Sequence, residues 1–254
     1  MAVAVRDDFR LALDRAAFAE SLGIEPDAWQ RRLLGSTADK VLLNCSRQSG
    51  KSTMAGVLAM HEALYYPGSL VLILAPAERQ AKELFSKVVR FYGDLGHPVA
   101  AESYRKLGIH LVNGSRIEAL PGTEKTVRGF SGVDLLIVDE ASRVEDELYF
   151  AVRPMLAISG GRLMMLSTPY GKRGVFYDEW HSIASGWERY RVPVTDCPRI
   201  TDAFLEEERA ALPSWVYRQE YECSFEETED QVFTTEMVDA AVSADVKPLF
   251  GGAV

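Results

Sequence analysis

The sequence predicts an α/β protein built on a mostly parallel central sheet flanked by helices. Two observations carry this expectation. Short apolar runs that do not alternate ("KVLLNCS", "SLVLILAP", "DLLIVDEA" and "RLMMLSTP") imply strands buried on both faces. Between them lie segments of helical period such as "TMAGVLAMHEALYY", and strands interleaved with helices are the pattern of a covered parallel sheet.

The elements follow in order. "MAVAVRDDFRLALDRAAFAE" reads as an amphipathic helix, and its early charges at Arg6, Asp7 and Asp8 exclude a signal peptide. The run 40–46 is a strand entering a loop, and the helix at 53–66 stops at Pro67-Gly68. A buried strand at 69–76 precedes the helix "AERQAKELFSKVVRFYGDLG" at 77–96. "GIHLVNGSRIEAL" (108–120) reads as a hairpin turned at Asn113-Gly114. Strands at 134–141 and 162–169 flank a helix around 145–157, and "WERYRVPV" (187–194) is the final strand. Beyond Pro198 the chain is acidic and helical through 201–230, which predicts a smaller helical subdomain beside the sheet. The last segment, with little pattern, reads as a linker or a truncated end. The predicted division is a core at 1–195 and a helical subdomain with linker at 196–254.

Composition narrows the function. No run of about 18 apolar residues exists, so a membrane span is not expected. Three cysteines (Cys45, Cys197, Cys223), odd in number and without metal-type spacing, argue for a reducing compartment. The 28 Lys and Arg against 37 Asp and Glu leave a net charge of −9, so any nucleic-acid contact must be local, transient or shared among subunits.

The chemistry concentrates in a few motifs. "NCSRQSGKST" (44–53) follows a strand and opens a helix, the geometry that aims backbone N–H groups at phosphates. Its residues Ser46, Arg47, Gln48, Ser49, Gly50, Lys51, Ser52 and Thr53 form the candidate nucleotide cradle. Lys51 is placed to reach the β- and γ-phosphate oxygens and Ser52 to ligate Mg²⁺. "LLIVDE" delivers Asp139 and Glu140 to the carboxyl end of a strand, where open α/β sheets bind ligands. Asp139 is the second metal residue and Glu140 the general base that activates water. Thr168, in "LMMLSTP", lies where a γ-phosphate can be sensed. In "EPDAWQRRLL", Gln30 is the candidate adenine reader, with Trp29 or Arg31 packing nearby. The bland alternatives, a helix cap or core role for Trp29 and a simple turn for Thr168, stay open at this point.

Taken together these residues resemble the ATPase domain of the large terminase subunits of tailed bacteriophages. The resemblance runs through Gln30, "CSRQSGKST", "APAERQA", "TVRGFSGVDLLIVDEAS", "MLSTPYGKRG" and "YRQEYECSFEE", nearly the whole chain. It implies a P-loop NTPase fold of the RecA-like type with an extra catalytic acid, and a small helical lid subdomain. It also implies an ATP- and Mg²⁺-dependent motor in the cytoplasm of the infected host, moving double-stranded DNA into a procapsid. Its partners would be a homo-oligomeric ring, a portal protein and a small terminase subunit. In that family the loop's first glycine is often replaced and a basic loop residue is usual, so Cys45 and Arg47 fit. Full large terminases carry a C-terminal nuclease domain; this sequence lacks a matching acidic cluster, and the reading is an isolated ATPase half without nuclease activity. Arg47 is the candidate for a γ-phosphate contact in cis, and Arg128, on the Gly-rich "TVRGFSG", for an arginine finger reaching a neighbouring subunit. Arg143, Arg153, Arg162 and Arg173 are weaker candidates. Arg31-Arg32 and Lys172-Arg173 are possible DNA contacts. The alternative function is a helicase or translocase of the DEAD/DEAS type, which would need a second RecA-like domain. A nucleotide-gated scaffold or a kinase fits less well.

Overall fold

A computed structural model describes residues 2–121, 127, 129–183, 186–227, 237 and 241. In chain order the elements are α1 (Ala2–Leu13), α2 (Arg15–Ser21), α3 (Ala28–Leu34), β1 (Lys40–Cys45), α4 (Lys51–Tyr65), β2 (Leu70–Ala75) and α5 (Glu78–Asp94). There follow β3 (Ala101–Arg105), β4 (Gly108–Leu111), β5 (Arg116–Pro121), β6 (Leu135–Asp139), α6 (Asp146–Val152) and β7 (Arg162–Ser167). The last are α7 (Gly174–His181), β8 (Glu188–Val192), α8 (Asp202–Ala211) and α9 (Ser214–Glu222).

The eight strands form one sheet in the order β3-β4-β5-β2-β6-β7-β1-β8. Neighbours from β5 to β8 run parallel, whereas β4 is antiparallel to both β3 and β5. The alternation of side chains explains how the parallel strands are buried on both faces. On β2, Val71, Ile73 and Ala75 join the core under α4 and α5, and Leu70, Leu72 and Leu74 join the core on the opposite face with α6 and α7. Leu42 of β1 joins that second core, and Val41, Leu43 and Cys45 the first.

The sheet order positions the site. Strand β7 lies between β6 and β1, with Leu166 opposite Asp139 and Ser167 opposite Asn44. Three parallel strands therefore end side by side, and the loops after β1, β6 and β7 open at the same edge.

Several boundaries differ from the sequence reading for local reasons. The N-terminal helix is two helices, because the Asp14 carboxylate accepts from the amides of Ala16 and Ala17 and starts α2 afresh. The helix expected at 145–157 ends at Val152 and gives way to a tight turn carrying Pro154. Strand β3 was not anticipated: its half-exposed, polar "AESYR" shows no apolar run, as suits an edge strand. Helix α7 was also missed, since Gly171 and Gly174 punctuate its start. The hairpin at Asn113-Gly114 is present, with Gly114 at φ 85°.

After β8, α8 and α9 are separated by Leu212 and Pro213, and a small cluster of Val194, Tyr217 and Tyr221 holds them against the end of the sheet. The chain after α9 is pinned beneath the phosphate loop. Asn44 Nδ2 donates to the carbonyl of Cys223 (3.1 Å), and Cys223 Sγ to that of Val192 (3.1 Å). Most of the expected linker after 227 lies outside the described residues. Among the described residues, no helix is long and apolar enough to cross a membrane.

His61 of α4 joins the N-terminal helices to the core. It is buried, with Nε2 3.1 Å from the carbonyl of Leu11 and its ring edge-on to Phe18. Burial, and then the charge of Arg15, push its pKa down from 6.5 to about 4. Between those values the unfolded chain takes up the proton that the folded ring refuses. The neutral ring's contribution is present in full above about pH 6.5 and is lost as pH falls towards 4, amounting to about 2 kcal/mol at pH 5. Urea midpoints at about pH 7.5 and pH 5 should therefore converge in His61→Phe relative to the native chain. Equal acid sensitivity in both proteins would assign it to other groups.

Candidate active site

The loop between β1 and α4 shows why a cysteine can stand where such loops usually begin with glycine. Cys45 is the last residue of β1, fully buried and paired with Val192 of β8, so extended backbone suffices there. The left-handed conformations fall later, at Gln48 (φ 57°) and Gly50 (φ 93°). Glycine is required only at the latter, where a Cβ would stand 2.8 Å from Gln30 Nε2.

The amides of Ser46 and Arg47 are spent on the carbonyls of Val192 and Glu220 (2.9 Å each). Those of Thr53 and Met54 return to Gly50 (3.0 and 3.1 Å). Lys51 and Ser52 open α4, where amides have no acceptor within the helix, so the anion-binding part of the loop is its second half. This corrects the expectation for Ser46, whose amide is occupied and whose side chain is buried against Cys197. Ser49 is also fully buried and can serve only through its backbone.

The chemistry-bearing side chains converge. Lys51 Nζ lies 3.3 Å from Glu140 Oε1 and 3.5 Å from Thr168 Oγ1. Ser52 Oγ donates to Asp139 Oδ2 (3.3 Å), and the amide of Glu140 donates to Asp139 Oδ1 (3.0 Å). Asp139 is buried; desolvation, and then the charge of Glu140, raise its pKa to about 6. A buried carboxylate beside a hydroxyl is a pair of hard oxygen donors. It suits a Mg²⁺ that takes its remaining ligands from water and phosphate. Glu140 stands just past β6 in the left-handed region (φ 51°), which turns the chain sharply between the two acids. A cavity of about 590 Å³ opens over these groups, and Arg47, Gln48, Arg79, Lys87, Arg143 and Glu220 complete its wall.

A second cavity, also about 590 Å³, lies on the other side of the loop. Ile24, Pro26, Gln30, Thr53, Met54, Pro198 and Arg199 line it. Gln30 is buried; its Oε1 accepts from the amide of Asp27 (3.0 Å) and its Nε2 donates to the carbonyl of Ser49 (3.3 Å). For Trp29, where a nucleotide contact and a core role both stood open, the structure shows the core. Trp29 packs with Leu33 in the main core and lines neither cavity, because the apolar face of α3 points inward. Arg31, its suggested companion, pairs with Glu20 (2.8 Å).

The remaining arginines divide. Arg47 is held by Glu220 of α9, Nε to Oε2 at 2.5 Å, on the cavity rim. Arg128 lies outside the described residues. Arg143 lies over the ring of Tyr170 (4.0 Å), which Arg173 approaches at 5.6 Å. Arg162 donates to the carbonyls of Ala38 and Ser36, and Arg153 lies over Tyr149, both away from the site. Lys172 pairs with Glu227 (3.5 Å).

Sequence reasoning did not find Arg79 and Lys87, although with Glu83 their spacing of four residues puts them on one face of α5. It also missed Ser142, whose hydroxyl meets Ser167 Oγ (2.6 Å) and donates to the carbonyl of Thr168 (2.8 Å), tying the segment after the acidic pair to the end of β7. Nothing local to Arg199 or Glu220 named their partners Asp27 and Arg47, which lie 172 and 173 residues away along the chain.

Comparison with known proteins agrees with this architecture. Residues 42–239 match the family model "Terminase large subunit, T4likevirus-type, N-terminal". The large terminase subunit of Thermus virus P23-45 is 27% identical, the match taking in 85% of this chain and 52% of the relative. That of Escherichia phage T5 is also 27% identical, over 84% and 51%. The chain thus spans about half the length of these curated relatives. The solved large terminase ATPase domain of Thermus phage P74-26 superposes with a TM-score of 0.72 at 26% identity, covering 82% of this chain and 97% of that one. The helicase alternative is not favoured by these matches. With three adjacent strands delivering a phosphate loop, an acidic pair and a threonine to one edge, the chain belongs to the terminase large subunit family and corresponds to its ATPase domain.

Proposed function

We propose that this chain hydrolyses ATP to ADP and phosphate and serves as the motor domain that drives double-stranded viral DNA into a procapsid. The observation that carries the reading is the meeting of Lys51, Ser52, Asp139, Glu140 and Thr168 at the ends of β1, β6 and β7. The triphosphate lies along the second half of the loop, with the amides of α4's first turn and Lys51 facing its oxygens. Ser52 and Asp139 would hold Mg²⁺, which when bound neutralises charge on the β- and γ-phosphates. Gln30 reads the adenine in the second cavity.

Glu140 acts as the general base: it takes a proton from the attacking water as oxygen bonds to the γ-phosphorus, and the bond to the β–γ bridging oxygen breaks. Lys51 is paired with Glu140 without nucleotide; phosphate oxygens draw it away and free the carboxylate. Arg47 reaches the γ-phosphate only by exchanging Glu220 for it. Arg128 supplies the finger to a neighbouring subunit in a ring, an arrangement that closes head to tail. The 1–195 core and the 196–254 lid and linker are the working parts. Portal protein and small terminase subunit are the partners the family implies, and the host cytoplasm is the site of action.

Two experiments test this. Glu140→Gln should bind ATP nearly as the native chain does yet lose turnover by about 10²-fold or more, whereas Lys51→Ala should weaken binding itself. Small, equal losses in binding and turnover would overturn the assignment of roles.

Arg128→Ala should bind nucleotide and fail to hydrolyse it, the native rate should rise with protein concentration, and mixing with Glu140→Gln should restore part of the activity. Such a finger is worth about 10³–10⁵ in rate. A concentration-independent rate with a dead mixture would refute action in trans.

A further inference from the structure

We propose that Arg199 is a positioning residue that locks the Gln30 amide in the orientation that selects adenine, so that nucleobase selectivity depends on the segment leading into α8. The proposal rests on the reading of Gln30 as the base-contacting residue.

Four residues from three stretches of the chain (Asp27 with Gln30, Ser49, and Arg199) close a circuit beside the second cavity. Arg199 Nη1 donates to Asp27 Oδ1 (2.7 Å), and Nη2 stands 2.7 Å from Asp27 Oδ2. The same Nη2 donates to the carbonyl of Ser49 (3.3 Å), which also accepts from Gln30 Nε2 (3.3 Å). Gln30 Oε1 accepts from the amide of Asp27 (3.0 Å), and the circuit returns to its start. Gln30 crowds Gly50: a Cβ there would stand 2.8 Å from Gln30 Nε2, whereas Arg199 Nη2, at 3.7 Å, would be in ordinary contact. The bare α-carbon is what lets the Gln30 amide meet the loop.

This circuit fixes which end of the amide faces which way. Rotating the Gln30 amide by half a turn would set its oxygen against the Ser49 carbonyl and its NH₂ against the Asp27 N–H, two repulsive contacts. In the orientation held, Nε2 keeps one free hydrogen and Oε1 one free lone pair. That donor–acceptor pair matches the N7 acceptor and N6 amino donor of adenine and mismatches guanine, whose N7 and O6 both accept. Arg199 bears on both poles at once. It holds the Asp27 carboxylate that caps α3, and it shares the Ser49 carbonyl. Without it the amide loses the fixed reference on each side; turned by half, it opposes adenine at both N7 and N6 while guanine still meets one donor, so the preference for ATP falls.

The test compares equilibrium binding and steady-state turnover of ATP, GTP and ITP by the native chain, Gln30→Ala, Arg199→Ala and Arg199→Lys, with thermal midpoints as a folding control. The expected result is a ratio of kcat/KM for ATP over GTP that falls by about tenfold in Arg199→Ala, the weight of one positioned hydrogen bond. KM for ATP should rise more than kcat falls. Arg199→Lys, which keeps the charge and loses the fork, should fall between. If Gln30→Ala loses selectivity while both Arg199 variants lower ATP and GTP use equally, Arg199 is a structural tie and the proposal fails. If Gln30→Ala keeps the native selectivity, the base-reading role of Gln30 itself fails. Should Arg199→Ala not fold, the Arg199→Lys ratio decides alone.

Discussion

The active edge depends on one buried charge. Asp139 ends a strand whose every residue is buried, and its immediate polar contacts are a serine hydroxyl and the amide of Glu140. Neither compensates a desolvated carboxylate, so its pKa rises to about 6 and its ionised form lacks a full counter-charge. A divalent cation held by Ser52 and Asp139, as proposed above, would supply that charge. Burial of Asp139 is in turn a product of the sheet order. With β7 between β6 and β1, the end of β6 is covered by strands on both sides, and Ser52 of α4 faces Asp139.

Around that charge the basic groups are held in reserve by carboxylates. Lys51 rests on Glu140 and Arg47 on Glu220, so each cation that a triphosphate needs is already paired. In the proposed reading an incoming phosphate would compete with a carboxylate and release it: Glu140 in the case of Lys51, Glu220 of α9 in the case of Arg47. Ser142 adds a link of its own, joining the turn after the acidic pair to Ser167 and to the backbone of Thr168.

Much of this was legible in the sequence because it is local. The parallel strands announce themselves as continuous apolar runs, since burial on both faces leaves no alternation to confuse with an amphipathic helix. The loop, the acidic pair and the Ser-Thr-Pro turn are legible for the same reason: each is a strand end followed at once by its functional residues. What remained hidden is made by contacts across the fold. Glu220 meets Arg47 from 173 residues away, and Arg199 meets Asp27 from 172. Arg47, Glu220 and Asp27 each sit in a recognisable segment, but no segment names its partner, because a guanidinium and a carboxylate can be drawn from any surface. Trp29 stayed ambiguous in the sequence because an aromatic beside Gln30 suits either a base stack or a core. The inward-facing spacing of Trp29 and Leu33 on α3 decides for the core.

The missing first glycine shows the same division between local rule and tertiary context. A phosphate loop needs left-handed backbone somewhere, but the requirement belongs to a conformation and not to a position. Here β1 extends one residue further, through Cys45, because β8 pairs with it along that length. The chain then bends at Gln48, a non-glycine residue at φ 57°, and again at Gly50. The left-handed turn at Gln48 carries a cost of about 1 kcal/mol or more, and the backbone ties of Ser46 to Val192 and Arg47 to Glu220 hold the chain on its approach to it. Those ties occupy the amides of Ser46 and Arg47 and fasten the loop to β8 and α9. A cysteine in the leading position thus goes with a loop whose entry is tied by its backbone to β8 and α9, while the left-handed turns it needs are supplied further on, at Gln48 and Gly50.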